Sequence, residues 1–312
     1  MASPLRLTVH PAAAGEPGAV DVAGGAAWAA VLDEFEAVEA SMSRFRESSE
    51  LSRLNAGPRR VSRRLRRALA LADRARRQTG GRFDPRVARA LERIGFRGTE
   101  GRVVALPPQT PSSGDAPSRR AFGSTSDGSV VRLPEPVDLG GVGKGLALRW
   151  AADRAAAALS PVLAAGGGFL LEAGGDLAVR GRPSDGLWHV GIEDPGGGAV
   201  PIAALSIEDG DAAATSSIRV NAWRAPDGRS VHHLIDPRTG EPVGPGLTAV
   251  TVVARDPAWA EIWSKALFVE GAAGIGPLAR AHGLAAWWAT TDGRFEMTPA
   301  ARPRTAWLAG AA

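Results

Sequence analysis

The sequence predicts an α+β fold. Three observations support this. Segments with helical periodicity and segments with strand character alternate in mixed order, without the repeating βαβ rhythm of a doubly wound sheet. The 312 residues are enough for an apolar core, and 44% hydrophobic with 22% charged residues is an ordinary globular balance. No apolar run approaches the roughly 20 residues that cross a bilayer. The chain therefore reads as a single domain over residues 1–312, soluble and cytoplasmic, with no membrane span.

Met1 to His10 reads as a strand, since it lacks the basic head, apolar stretch and small-residue cleavage site of a signal peptide. From Trp28 to Met42, the residues Val31, Leu32, Phe35, Val38 and Met42 recur at helical spacing and predict one apolar face. A second helix is predicted from Ser62 to Thr79, capped by Ser62 and ended by Gly80, with Leu65, Leu69, Ala72 and Ala75 as its buried stripe. Its many arginines lie mostly off that stripe and read as a solvated face. Residues 98–128 are rich in Gly, Pro, Ser and Thr and predict a long loop or insertion. Short strands are expected at Ser129–Leu133 and Val137–Leu139, then a helix over Leu146–Leu159. Further strands are expected at Phe169–Leu171, Leu177–Val179, Trp188–Ile192 and Ala249–Val253, and a last helix over Ala258–Glu270.

The absence of cysteine excludes disulfides and thiolate metal sites. A pI near 10.6 beside a formal charge of only +4 reflects arginines, which stay protonated to very high pH. Nucleic-acid binding has only that pI behind it and is not expected. Among 37 basic residues just two, Lys144 and Lys265, are lysines. In a chain that otherwise uses arginine, these two positions point to a need for a compact ammonium.

Three motifs carry candidate chemistry. In Asp138-Leu-Gly-Gly-Val-Gly-Lys-Gly145, the glycines Gly140, Gly141, Gly143 and Gly145 open the backbone to close approach, and a helix start and Lys144 supply positive charge. This suits a phosphate or diphosphate; the alternative is a tight structural turn. It is not a Walker A loop, because Gly145 rather than Ser or Thr follows the lysine. In His232-His-Leu-Ile-Asp-Pro-Arg-Thr-Gly240 a turn carries two of the five histidines, with Asp236 close by. His233 is either a structural histidine or one that takes a proton from an attacking hydroxyl. In Ala260-Glu-Ile-Trp-Ser-Lys-Ala-Leu-Phe268, Glu261 and Lys265 share a helix face four residues apart, either as a surface ion pair or as charges projecting into a site.

In order along the chain, these segments resemble the FAD:protein FMN transferase (ApbE-like) family, from about Ser41 to Gly271. The resemblance rests on the stretch Met42 to Asn55, Gly81-Arg-Phe-Asp-Pro85, Asp138 to Gly145, Ala173-Gly-Gly-Asp176, Trp188 to Ile192, Ala214-Thr-Ser-Ser217, His233 to Gly240 and Glu261 to Gly271. It implies a T-fold-type α+β domain, with mixed or antiparallel sheets and flanking helices around an FAD cleft. FAD would be the substrate. A Thr or Ser hydroxyl of an acceptor protein would attack the FMN-side phosphorus and AMP would leave, with His233 as base and Asp236 beside it. Phe45, Arg82, Phe83, Asp84, Asp138, Gly140, Lys144, Ile235 and Lys265 would contact FAD. The same residues fit an FAD diphosphatase, in which water replaces the hydroxyl, or a non-catalytic flavin carrier.

The family also implies Mg²⁺, held by the Gly141 carbonyl and by an Asp and a Thr on the last helix. Here Glu261 replaces the Asp and Lys265 the Thr. An ammonium has no lone pair to give a metal. Three outcomes stay open from sequence: Lys265 replaces part of the cation, Mg²⁺ shifts onto Glu261 and Ser264, or activity is lost.

Overall fold

The computed structural model describes residues 4–12, 17–98, 104–107, 123–124, 130–219 and 221–310. Met1–Ser3 and most of the loop expected at 98–128 lie outside the described residues. The helices are α1 (Pro17–Met42), α2 (Glu50–Ala56), α3 (Arg63–Gln78), α4 (Ala88–Arg93), α5 (Gly143–Ala158), α6 (Ser160–Ala164), α7 (Pro257–Glu270) and α8 (Ala272–Ala281). None of these is long and apolar enough to cross a membrane. The fold is a mix of helices and antiparallel sheets, as the sequence predicts. The chain clusters into two compact units. Of the described residues, those within 36–143 and 221–243 form the first, and those within 4–35, 144–219 and 244–310 form the second.

The second unit is built on a seven-stranded sheet in the order Leu5–His10, Gly168–Ala173, Asp176–Gly181, Ala212–Ser217, Leu247–Ala254, Ala285–Thr290, Phe295–Met297. Every neighbouring pair is antiparallel. Period-two alternation gives the sheet two uses. Leu177, Val179, Val253 and Trp287 pack with Trp188, Ile192, Leu205 and Ile207, which belong to a three-stranded antiparallel sheet of Trp188–Ile192, Ala203–Ile207 and Thr305–Leu308. Ser216, opposite Val250 in the ladder, instead meets α7 through Ser264.

In the first unit, α3 follows its sequence pattern closely. The Ser62 hydroxyl accepts the Leu65 N–H at 3.2 Å, satisfying one orphan donor of the first turn. Leu65, Leu69, Ala72 and Ala75 are all buried. The left-handed turn after the helix falls on Gly80, at φ +61°. In α1, Val31, Phe35, Val38 and Met42 are buried, but Leu32, expected on the same face, is 45% exposed. A step of one residue turns a helix by about 100°, which carries Leu32 off a stripe centred on Val31 and Phe35.

The strand expected at Val137–Leu139 does not form. Its ladder is replaced by a side chain: Asn55 Nδ2 donates to the Val137 carbonyl at 2.9 Å and Asn55 Oδ1 accepts the Val137 N–H at 3.0 Å. The Asp138 N–H goes to the Pro85 carbonyl at 2.7 Å. With its backbone groups satisfied locally, the segment stays extended without a partner strand.

Candidate functional site

Within the second unit both lysines of the chain sit beside buried carboxylates. Lys144 lies in the first turn of α5, and its Nζ pairs with Asp176 Oδ2 at 2.9 Å. Asp176 opens the strand Asp176–Gly181 and also accepts the Thr215 N–H at 3.0 Å. Burial alone would pull the Lys144 pKa down, but the charges of Asp176 and Glu261 hold it above the usual lysine value. Lys144 is therefore a fixed positive charge.

Lys265 Nζ donates to Glu261 Oε1 at 3.1 Å, along one face of α7. Glu261 is 1% exposed, and its other oxygen accepts the Gly145 N–H at 2.8 Å. The two helices meet backbone to backbone at that point. A Cβ on Gly145 would lie 2.6 Å from Ala258 Cα and from the Pro257 carbonyl oxygen. Arg149, farther along α5, clasps Asp256, the N-cap of α7, at 2.5 Å.

The glycine loop ahead of α5 spends most of its amides internally. Gly140 N–H goes to Asp138 Oδ1 at 2.6 Å, and Val142 and Gly143 both donate to the Leu139 carbonyl. These hydrogen bonds make the loop a stiff turn, and the positive charge at the start of α5 comes mainly from the lysines. The carboxylate of Asp138 faces a second demand from Arg44, whose Nε donates to Oδ2 at 2.6 Å with both side chains buried. Asp138 and Gly140, both expected to contact FAD, thus hold the loop together.

The first unit carries an aromatic and histidine cluster. The Arg44 guanidinium lies 4.4 Å over the Phe45 ring, and Phe45 meets Phe96 edge-on at 5.7 Å. Phe96 in turn lies tilted by 30° against Trp223 at 5.2 Å and stacks with His233 at 6.2 Å. His232 Nδ1 accepts the Leu234 N–H at 3.3 Å, so its Nε2–H donates to the Val243 carbonyl at 3.1 Å. That fixes the tautomer of His232 and gives it a structural task. Asp236 accepts from the Arg238 backbone and guanidinium at 2.9 Å. Burial raises its pKa, but the Arg238 hydrogen bonds outweigh this and leave it below the usual carboxylate value.

Among the other residues implied by resemblance, Phe83 and Ile235 are 5% and 6% exposed and pack as core. Asp84 caps the short helical turn at Pro85–Val87 and pairs with Arg86 at 2.5 Å, and Arg82 Nη1 donates to the Thr79 carbonyl. Sequence reasoning assigned no role to Asp176, Arg44, Phe96 or Trp223. Asp176 and Arg44 stood inside recognised segments; Phe96 and Trp223 gave no local signal, because each acts through residues far away in sequence.

A profile of the ApbE family matches residues 1–288. The chain belongs to the ApbE family. It is similar to the FAD:protein FMN transferase of Vibrio cholerae, at 30% identity over 250 residues covering 76% of this chain and 71% of the relative. It is 33% identical over 126 residues to the FAD:protein FMN transferase of Escherichia coli K12, a match of 40% of this chain and 36% of that protein's length. The alignment thus spans about a third of that relative. The crystal structure of the Thermotoga maritima ApbE protein superposes with a TM-score of 0.77 over 97% of this chain and 96% of its own, at 24% identity, a likeness of fold.

The Mg²⁺ ligands expected for an ApbE chain do not fit the α7 residues found here. Glu261 is committed to Gly145 and Lys265, and Ser264 Oγ is shared between the Ser216 hydroxyl at 2.8 Å and the Glu261 carbonyl at 3.0 Å. Lys265 places three N–H donors where a cation needs lone pairs. Gly141 retains a carbonyl, but one carbonyl is not a site. Among the described residues, no group of three or more His, Cys, Asp or Glu side chains could hold a metal ion.

Proposed function

We propose that this protein transfers FMN from FAD to a Thr or Ser hydroxyl of an acceptor protein and releases AMP. The observation that carries this reading is the pair of ammonium groups at α5 and α7, each anchored by a buried carboxylate. Membership of the ApbE family and the relatives named FAD:protein FMN transferase support it.

FAD is the substrate, and its diphosphate places negative charge where Lys144 and Lys265 supply positive charge. In the reaction the acceptor hydroxyl oxygen bonds to the FMN-side phosphorus. The bond from that phosphorus to the bridging oxygen breaks, and AMP leaves with that oxygen. The hydroxyl proton passes to the His233 imidazole, and Asp236 fixes the turn that carries this ring through its bonds to Arg238. The lysines stabilise charge that shifts onto the leaving phosphate, the main demand of phosphoryl-type transfer. Phe45 offers a half-buried aromatic face to the flavin, while Phe83 and Ile235 support the site by packing. We place the reaction in the bacterial cytoplasm. The relatives described above are bacterial, and a chain without cysteines has no disulfide for an oxidising compartment to form.

The test uses purified protein, FAD and an acceptor carrying an Asp-Gly-x-Ser-Gly-Ala-Thr-like segment. Covalent flavin is read by in-gel fluorescence and a mass shift of the size of FMN, and AMP by chromatography. His233→Ala is expected to slow transfer by about 10²- to 10⁴-fold with FAD still bound. AMP without an adduct would instead mean hydrolysis, and an unchanged rate in His233→Ala would remove that residue from the mechanism.

A further inference from the structure

We infer that this chain has replaced the divalent cation of its reaction by a built-in ammonium, Lys265, so that it binds and turns over FAD with no protein-held metal. The inference rests on the FMN-transfer reading for its substrate, and on the second unit alone for its geometry.

Three features of that unit converge on it. The first is charge balance. Lys144 and Lys265 face Asp176 and Glu261, two positive charges against two negative ones. A divalent cation added there would meet a cluster already neutral, with an ammonium occupying one carboxylate oxygen. A cation held by side chains needs a carboxylate oxygen free to ligate it, and both Glu261 oxygens are already engaged, by Gly145 N–H and by Lys265.

The second is the position of the ammonium. Lys265 Nζ is held by one hydrogen bond, to Glu261 at 3.1 Å, its only partner among the described residues. Its side chain is 20% exposed, whereas that of Glu261 is 2% exposed. Two of the three N–H donors therefore point away from the anchor, available to phosphate oxygens. Lys144 is placed in the same way, 22% exposed against 3% for Asp176.

The third is that Glu261 does different work from a metal ligand. Its second oxygen is bound to the Gly145 N–H, at the contact that brings α5 against α7. The carboxylate thereby fixes Lys265 relative to the helix start that carries Lys144. Glu261 and Lys265 form one device, with the carboxylate as mount and the ammonium as charge. Lysine is suited to it because a compact ammonium is a point charge, whereas the arginines used elsewhere in the chain spread theirs over a planar fork.

The experiment has two readouts independent of turnover. Mn²⁺ alone is titrated into the purified full chain, and the free-ion EPR signal is followed. The wild type is expected to leave that signal unchanged, while the double variant Glu261→Asp/Lys265→Thr is expected to take up Mn²⁺. FAD binding is then measured by flavin fluorescence in EDTA. The wild type is expected to bind, and Lys265→Met to weaken binding about tenfold or more, with Lys265→Arg recovering part of the loss. Circular dichroism melts establish that each variant is folded. Stoichiometric uptake of Mn²⁺ by the wild type, or FAD affinity in EDTA unchanged by Lys265→Met, would overturn the inference. FAD turned over only when Mg²⁺ is restored would overturn the inference as well. FAD bound in EDTA, with neither AMP nor adduct formed in EDTA or in Mg²⁺, would sink the transfer reading and leave the ammonium's role in binding FAD standing.

Discussion

A half-buried imidazole resists protonation in proportion to what its cation would lose, and His232 would lose a hydrogen bond as well as hydration. Burial lowers its pKa against the smaller opposing effect of the Val243 carbonyl. Protonated Nδ1 could no longer accept the Leu234 N–H. The unfolded chain takes up its proton near the ordinary histidine pKa of about 6.5, and the folded chain only at lower pH. In that window the unfolded state binds more protons, so stability is full above about pH 6.5 and declines as pH falls. The wild type is expected to lose up to about 1.4 kcal/mol per pH unit through this residue. Urea midpoints at pH 7.5, 6.5 and 5.5 check it: His232→Gln should show a shallower pH slope, and parallel slopes would refute the assignment. The sequence displayed the histidine pair and its turn, but could not say which ring was structural. That distinction lies in Val243 and Leu234, whose backbone groups carry no side-chain signal. The same limit hid Asn55, which closes both backbone groups of Val137 from 82 residues away.

At the scale of elements, what was legible was whatever a helix or strand declares within its own span. The cap and stripe of α3, the extent of α7 and the strand Trp188–Ile192 follow from local periodicity and punctuation. The glycine loop was legible as a special segment, but its physical reason differed. Gly145 is required by close approach: a side chain there would run into Pro257 and Ala258. Gly145→Ala is expected to force α5 and α7 apart, stretch the Gly145–Glu261 hydrogen bond and destabilise the protein by about 1–3 kcal/mol. It should also weaken FAD binding in EDTA, because the mount of Lys265 moves. Thermal melts together with flavin fluorescence test this pairing of effects. Stability lost with FAD affinity intact would show that the helix contact does not position the ammonium.

At the scale of the whole molecule, stability depends on apolar clusters whose members come from distant parts of the chain. The largest fully buried side chain, Trp287, stands in the seven-stranded sheet and packs with Trp188, Leu205 and Ile207 of the three-stranded one. Its Nε1–H donates to the Thr305 hydroxyl at 3.0 Å, so burial of the ring leaves no donor unpaired. Trp287→Ala removes the ring from a site that two sheets cannot fill by a small shift. The expected cost is about 3–5 kcal/mol, since transfer energy and an unfilled cavity add. For a unit of this size each kcal/mol lowers the melting temperature by roughly 2–4 °C. The fall should therefore be about 6–20 °C. Trp287→Phe keeps most of the volume and loses chiefly the hydrogen bond to Thr305, so it should cost about 1–2 kcal/mol. A scan of both variants by circular dichroism, with FAD fluorescence recorded below the transition, separates packing from function. Both variants should still bind FAD while folded, because none of the site's charges touches this cluster. Loss of flavin binding in a folded Trp287→Phe would show that the sheet core sets the geometry of the lysine pair.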